Sequence, residues 1–203
     1  MIMEVKDVVL EPILNREQIS ECLETSLFLL KNMEDRPDLH DRGVFERFTN
    51  IAMGEIAERA VIEWLLSKNK YAVSAVDKHS EKPDKGFDIL LKSKDREREL
   101  KCSVKSSLSI YKSNITDILK EFTISTKKIE VTDINIQVYF WLNLNSNPRI
   151  TLPSELNMGI IGWLGRKDLQ SATFGKYSTE NREAPKIKLQ DIRPMESLLG
   201  YIS

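Results

Sequence analysis

The feature that most constrains this fold is a switch in hydrophobic period along the chain. Apolar side chains recur at steps of three and four, the period of an amphipathic helix, in residues 16–33 and 44–67. Shorter segments are rich in β-branched and aromatic residues, as strands are: 71–76, 87–91, 99–105, 134–144 and 158–164. Further helical patterns occupy 110–122, 166–174 and 195–202. This alternation predicts an α/β fold, a mixed β-sheet flanked by helices.

The length of 203 residues favours a single domain. We expect an N-terminal helical part at 1–40, a catalytic core at 44–174, and a C-terminal loop, strand and helix at 175–203. Residues 175–185 contain almost no aliphatic side chains and several cations, which predicts an exposed loop. Pro194 suits the start of the closing helix, where its missing N–H costs nothing.

Composition excludes several classes of protein. Apolar residues make up 41% of the chain and charged residues 30%, which is typical of a folded soluble protein. The longest apolar runs fall far below the roughly 20 residues of a membrane helix, and residues 1–7 do not resemble a secretory signal. We therefore expect a cytoplasmic protein with no membrane partner. The two cysteines and two histidines lack metal-ligand spacing, which argues against structural zinc and a disulfide scaffold.

The charge balance restricts how this chain could bind a polyanion. Its net charge is −1, from 30 basic and 31 acidic residues, so the chain as a whole does not attract nucleic acid. Any such surface must come from local segregation of charge. The candidate cations are Lys112, Arg166, Lys167, Lys176, Arg182, Lys186 and Lys188.

One carboxylate interrupts the apolar stripe of the second predicted helix. The stripe, at steps of three and four, consists of Phe48, Ile51, Gly54, Glu58, Val61 and Leu65. Glu58 is therefore expected to face the interior. Glu55 and Glu63 lie off this stripe and are expected to be solvated.

Two of the strands are predicted to form a hairpin around the polar residues 93–96. In such a hairpin Asp88 would lie across from roughly Lys101, with Ser103 or Lys105 two or three residues further along. Side chains alternate along a strand, so Lys101, Ser103 and Lys105 share one face. The hairpin and Glu58 together would gather two carboxylates and a lysine at one point.

This group of residues has a clear chemical use. Carboxylate oxygens suit Mg²⁺, which keeps several waters available for reaction. A nearby ammonium group can orient or deprotonate the attacking water and stabilise charge that develops on phosphorus oxygens. Hydrolysis of a phosphodiester is the reaction that fits.

At this point the chain resembles the PD-(D/E)xK nuclease superfamily, which includes type II restriction endonucleases, Holliday-junction resolvases and related repair nucleases. The resemblance covers residues 54–107. Gly54 to Glu58 is similar to the G-x-x-x-E helix that precedes the sheet, which assigns the accessory acid to Glu58. Gly86 to Ile89 is similar to the G-x-D-I strand, and Val104-Lys105-Ser106-Ser107 is similar to the end of the (D/E)-x-K strand.

The resemblance leaves two registers open for the catalytic lysine. With Lys105 as the lysine, Ser103 stands where the family has an acid, and the Val-Lys-Ser-Ser context favours this register. The alternative uses the literal E-x-K of Glu99 and Lys101. If Ser103 replaces the acid, the metal would be held by Asp88, a strand carbonyl and waters, with assistance from Glu58.

The resemblance implies a restriction-endonuclease-like core and a Mg²⁺-dependent endonuclease that cleaves double-stranded DNA, in the manner of a type II restriction enzyme. A palindromic target would imply a homodimer, because matching half-sites require a two-fold protein. Two alternatives remain: a structure-specific repair or recombination nuclease, and a noncatalytic DNA-binding subunit that lost the acid at Ser103.

Overall fold

The computed structural model describes residues 2–10, 13–32, 43–75, 86–92, 99–126, 132–142, 153–176 and 183–202. The helices are α1 (Arg16–Asn32), α2 (Val44–Ser67), α3 (Ile115–Glu121), α4 (Arg166–Gln170) and α5 (Met195–Tyr201). The strands are β1 (Ala72–Ser74), β2 (Ile89–Lys92), β3 (Glu99–Ser109), β4 (Ile134–Trp141), β5 (Asn157–Gly165), β6 (Phe174–Lys176) and β7 (Glu183–Pro185).

Five strands form one mixed sheet in the order β1-β2-β3-β4-β5. The pairs β1–β2, β2–β3 and β4–β5 are antiparallel, whereas β3 and β4 are parallel. A parallel pair needs a crossover connection, and α3 lies in the one between β3 and β4. The predicted mixed sheet flanked by helices is therefore confirmed.

The first face of the sheet packs on α2. Apolar residues of all five strands join α2, α5 and the Cys22 side of α1 in one buried cluster. Helix α2 is buried around most of its middle because the sheet lies on one side and α1 on the other. Burial on all sides explains why α2 is richer in apolar residues than an amphipathic surface helix.

The second face of the sheet is covered over only part of its width. Over β4 and β5, a second buried cluster includes Ile118 of α3, Leu169 of α4, and Leu189 in a short 3₁₀ turn. Over β1 to β3, no described element forms such a cover. Tyr71 and Val73 are consequently 48% and 37% exposed.

The structure confirms most predicted elements and corrects others. Helix α2 has the predicted bounds, but α3 is shorter than the predicted helix at 110–122 because β3 continues to Ser109. The described ends of the predicted loop at 175–185 are not exposed loop, because β6 pairs with β7 and Pro185 is buried. Residues 177–182 lie outside the described part. No described helix has both the length and the apolarity to cross a membrane.

Two glycines give a matched test of this packing. A Cβ on Gly54, inside α2, would meet no atom within 4 Å, whereas a Cβ on Gly162 of β5 would collide with the Arg193 carbonyl oxygen. Gly54→Ala should raise the free energy of unfolding by about 1 kcal/mol, since alanine is the better helix former.

Gly162→Ala should lower the free energy of unfolding by about 2 kcal/mol, because the Arg193 backbone must move away from β5. Urea denaturation of both variants measures the two effects. Equal changes in the two variants would contradict the packing described.

Candidate functional site

The candidate site lies at the start of β2, beside β3. The two strands pair only from Ile89 opposite Cys102 to Lys92 opposite Glu99, whereas β3 continues along β4 to Ser109. Just before β2 begins, the Oδ2 atom of Asp88 accepts hydrogen bonds from the Val104 N–H at 2.7 Å and the Ser103 hydroxyl at 3.3 Å. The carboxylate thus takes the position that the backbone of a longer β2 would have occupied.

The backbone holds Asp88 in this place from both sides. Its N–H donates to the Cys102 carbonyl at 2.9 Å, and its carbonyl accepts from the Ala75 N–H at 2.8 Å. Gly86 just before it has a φ of 81°, a conformation that L side chains rarely adopt, so glycine is needed there. The predicted G-x-D-I segment therefore has a local structural reason for its glycine.

The hairpin register differs from the sequence prediction. Leu90, not Asp88, lies opposite Lys101, and Asp88 lies beside Ser103. The prediction centred the hairpin near residues 94 and 95, whereas the observed pairing is centred about one residue later. This shift moves the residue opposite Asp88 by two, from Lys101 to Ser103.

This register brings Asp88, Ser103 and Lys105 into one part of the molecule. Leu100 and Cys102 point into the cluster under α2, so Ser103 and Lys105 lie on the second face. Ser103 is 2% exposed and Lys105 is half-buried.

The alternative register separates its acid, Glu99, from Asp88, whereas Lys101 and Lys105 each lie two residues from Ser103 along β3. Glu99 lies opposite Lys92 and pairs with its ammonium at 3.6 Å. At about 3.3 Å per residue along a strand, this position is about 13 Å from Asp88. The Lys101 ammonium lies 5.3 Å from the Phe87 ring centre. The geometry therefore favours the Lys105 register.

Glu58 is buried, as its place on the helical stripe predicts, and is 7% exposed. Its neighbours Ala57 and Val61 belong to the same cluster as Ile89 and Cys102, the residues adjacent to Asp88 and Ser103. Its approach to Asp88 itself stays a prediction.

Two other carboxylates of α2, predicted to be solvated, are not fully exposed. Glu55 and Glu63 are both half-buried, and Glu63 pairs with Arg59 at 2.8 Å. The reason is that α1 covers the side of α2 that faces away from the sheet.

The donor atoms of the site are of the kind that Mg²⁺ prefers. In the Lys105 register the site offers the Asp88 carboxylate and the Ser103 hydroxyl, to which the predicted approach of Glu58 would add a second carboxylate, and all of these donors are oxygens. In the described part of the chain, no three His, Cys, Asp or Glu side chains are arranged to hold a metal ion. The chemistry of the donors fits the predicted ion, with two carboxylates where a complete family motif would have three acids.

Sequence reasoning missed two buried amides behind this site. Asn135 and Gln137 of β4 are fully buried and lie next to Ser103 and Lys105 in the parallel pairing. The Gln137 amide accepts from the Ser125 N–H at 2.8 Å and donates to the Ser125 carbonyl at 3.1 Å and to Asn135. The available signal was two amide side chains at alternate positions of an otherwise apolar strand.

Two of the predicted phosphate-binding cations are engaged within the protein. Lys112 binds Glu121 at 2.9 Å, and this hydrogen bond raises the pKa of the Lys112 ammonium above its ordinary value. Arg166 pairs with Asp133 at 3.4 Å.

The remaining predicted cations divide into two groups. Three of them are exposed: Lys167, Lys186 and Lys188. The Lys176 side chain and Arg182 lie outside the described part.

Comparison with models of protein families, with curated proteins and with solved structures finds no match.

Ser103→Asp tests whether Asp88 belongs to a cation site. A second carboxylate beside Asp88 should lower the free energy of unfolding by about 1–3 kcal/mol in EDTA, because two like charges would be held together. Millimolar Mg²⁺ should restore the loss by binding the folded state. The control is Ser107→Asp, on the same face of β3 but beyond Lys105. Thermal unfolding with equal Mg²⁺ responses in both variants would argue against the site.

Proposed function

We propose that this protein is a Mg²⁺-dependent DNA endonuclease with a restriction-endonuclease-like core, which hydrolyses phosphodiester bonds of double-stranded DNA as type II restriction enzymes do. The observation that carries the proposal is the Asp88 carboxylate, fixed by Val104 and Ser103 at the point where β2 leaves β3, next to Lys105. An acid and a lysine at the parting of two strands are the centre of the resemblance.

The order of the elements supports the same reading. Glu58 lies on α2, which directly precedes the sheet, Asp88 lies at the start of β2, and Lys105 lies on β3. The three segments that carry the resemblance thus occur on neighbouring elements in the expected sequence, and β2 and β3 are paired.

Asp88 and Glu58 would hold the metal, which when bound would supply positive charge to stabilise the phosphodiester as charge builds on its oxygens. The protein's own contribution begins with Asp88. Its carboxylate is held by the Val104 N–H before any ligand arrives, so little ordering remains to be done on binding.

Lys105 would act on the water and the phosphate. Lys105 is half-buried as a residue, and a charge partly withdrawn from water acts more strongly on a developing anion. The buried amides of Asn135 and Gln137 in the neighbouring strand give this part of β3 a rigid support. Lys105 would orient the attacking water and stabilise the transition state.

A palindromic DNA site would be recognised by a homodimer of this chain. The net charge of −1 fits an enzyme that reads a specific sequence better than one that holds any DNA by broad positive charge. Exposed lysines such as Lys186 and Lys188 would then contact phosphates.

One observation favours a second candidate, a noncatalytic DNA-binding subunit of the same fold. Ser103 replaces an acid of the family motif and donates its own hydrogen bond to Asp88. In such a subunit the Asp88 carboxylate would only complete the hydrogen bonding at the end of the hairpin.

Asp88→Ala and Lys105→Ala should each reduce DNA cleavage by about 100-fold or more, because single electrostatic contacts to a transition state are worth at least that much. The measurement is kcat/KM on duplex DNA in Mg²⁺, with EDTA as the blank. Lys120→Ala, an exposed lysine of α3, is the control and should cleave at the wild-type rate.

Other outcomes distinguish between the nuclease, its two lysine registers and the noncatalytic subunit. Cleavage by Asp88→Ala at the wild-type rate would remove the nuclease proposal. Loss in Lys101→Ala with full activity in Lys105→Ala would move the catalytic lysine to the alternative register. DNA binding by the wild type without cleavage in Mg²⁺ would favour the noncatalytic subunit.

A further inference from the structure

The second face of the sheet has an exposed area around β1 and the first residues of β3, beside the candidate site. On it lie Tyr71, which is 48% exposed, and Val73, which is 37% exposed. Lys101 is exposed on the same face of β3. Antiparallel strands often leave one face in solvent, so the feature that distinguishes this area is its combination of aromatic rings with lysines.

Two aromatic rings on this surface each have a lysine ammonium over them. The Lys92 ammonium lies 5.2 Å from the Tyr71 ring centre, and the Lys101 ammonium lies 5.3 Å from the Phe87 ring centre. Tyr71 continues the pairing of β1 with β2, since the Lys92 N–H donates to the Tyr71 carbonyl at 3.5 Å. Each pair combines a flat apolar ring with a positive charge.

The surface leads directly to the candidate site. Phe87 is the residue before Asp88, and Lys101, Ser103 and Lys105 follow one another on the same face of β3. A ligand lying across the rings would therefore end at the Asp88 carboxylate.

We propose that this face, defined by Tyr71, Phe87, Lys92 and Lys101, binds a single-stranded segment of DNA next to the bond that is cut. The bases would stack on the two rings and the phosphates would lie against the lysines. An intact duplex keeps its bases inside the helix and offers phosphates but no base face to the rings. This inference rests on the proposed nuclease activity and points to a substrate with an unpaired stretch beside the duplex, which is the substrate of a structure-specific nuclease rather than of a restriction enzyme.

The charge of the face favours DNA over a second copy of this chain. Lys92 and Lys101 are joined by Lys105 further along β3, and the Glu99 carboxylate on the same face is paired with Lys92 at 3.6 Å. Two such faces packed together would bring lysines into opposition, which is destabilising. A polyanion meets the same cations favourably.

The test measures binding in EDTA, so that it does not depend on cleavage. A fluorescent 20-nucleotide strand and its duplex are titrated with the full-length protein and followed by anisotropy. Tyr71→Ala and Phe87→Ala should each weaken binding of the single strand by at least about fivefold, the lower limit for loss of one base stack, and change duplex binding by less than about twofold. Tyr71→Phe should bind the strand as the wild type does.

Tyr201→Ala is the matched control. Tyr201 is also 48% exposed but lies on α5 against Trp163, at a ring distance of 4.8 Å, on the other face of the sheet. It should leave single-strand binding unchanged. Urea denaturation of all variants checks that they are folded.

Salt dependence tests the lysines separately from the rings. The slope of log affinity against log salt is about −0.7 for each phosphate held by a single strand. Lys92→Gln and Lys101→Gln should each make the slope shallower by about 0.7. An unchanged slope in both variants would overturn their assignment to phosphates.

The inference and the proposed function can fail separately. Asp88→Ala should bind the single strand in EDTA at least as tightly as the wild type, because one carboxylate next to the phosphates is removed, and fail to cleave in Mg²⁺. Equal binding of the strand by Tyr71→Ala, Tyr201→Ala and the wild type would overturn the inference and leave the nuclease proposal intact. Self-association of the wild type that Tyr71→Ala abolishes, together with no strand binding, would assign the face to a second copy instead.

Discussion

The hydrogen bond from the Val104 N–H to the Asp88 carboxylate is the interaction on which the arrangement of the candidate site depends. Strand β3 has two different neighbours, β2 for its first residues and β4 for its later ones. Where β2 stops, the backbone groups of β3 on that side need new partners, because an unsatisfied buried N–H is costly. Asp88 supplies one, and the same bond fixes a carboxylate beside Ser103 and Lys105. Asp88 therefore both satisfies a backbone N–H of β3 and places a carboxylate at the candidate site.

The two faces of the sheet have different roles because different elements cover them. The face under α2 is buried from β1 to β5 and carries most of the apolar core. The other face carries a second buried cluster over β4 and β5, and Ser103 of β3 is buried there too, next to Asn135 of β4 in the parallel pairing. Around β1, by contrast, the described residues leave Tyr71 and Val73 exposed, with the half-buried Phe87 and Lys92 nearby.

The proposed activity and the proposed strand-binding face make one consistent description of the hairpin. Glu58 and Ser103, which are buried, and the half-buried Asp88 would organise the reacting centre, while the groups next to them would hold the substrate. The chain is close to neutral overall, so binding of DNA would have to rely on such local groups. Lys112 and Arg166 are ion-paired with Glu121 and Asp133, and Lys92 of the hairpin is likewise paired with Glu99, whereas Lys101 lies exposed over the Phe87 ring.

Features that depend only on residues close together in the chain could be predicted from the sequence. The bounds of α2, the burial of Glu58 and the existence of the β2–β3 hairpin all follow from periodicity, which depends only on neighbours along the chain. The register that places Asp88 beside Ser103 could not be predicted in this way, because a shift of one residue in the centre of the pairing moves each partner by two. Nor could the pairing of Phe174–Lys176 with Glu183–Pro185, or the binding of Gln137 to Ser125. These features depend on contacts between segments far apart in the chain, and no local pattern of residues records such contacts.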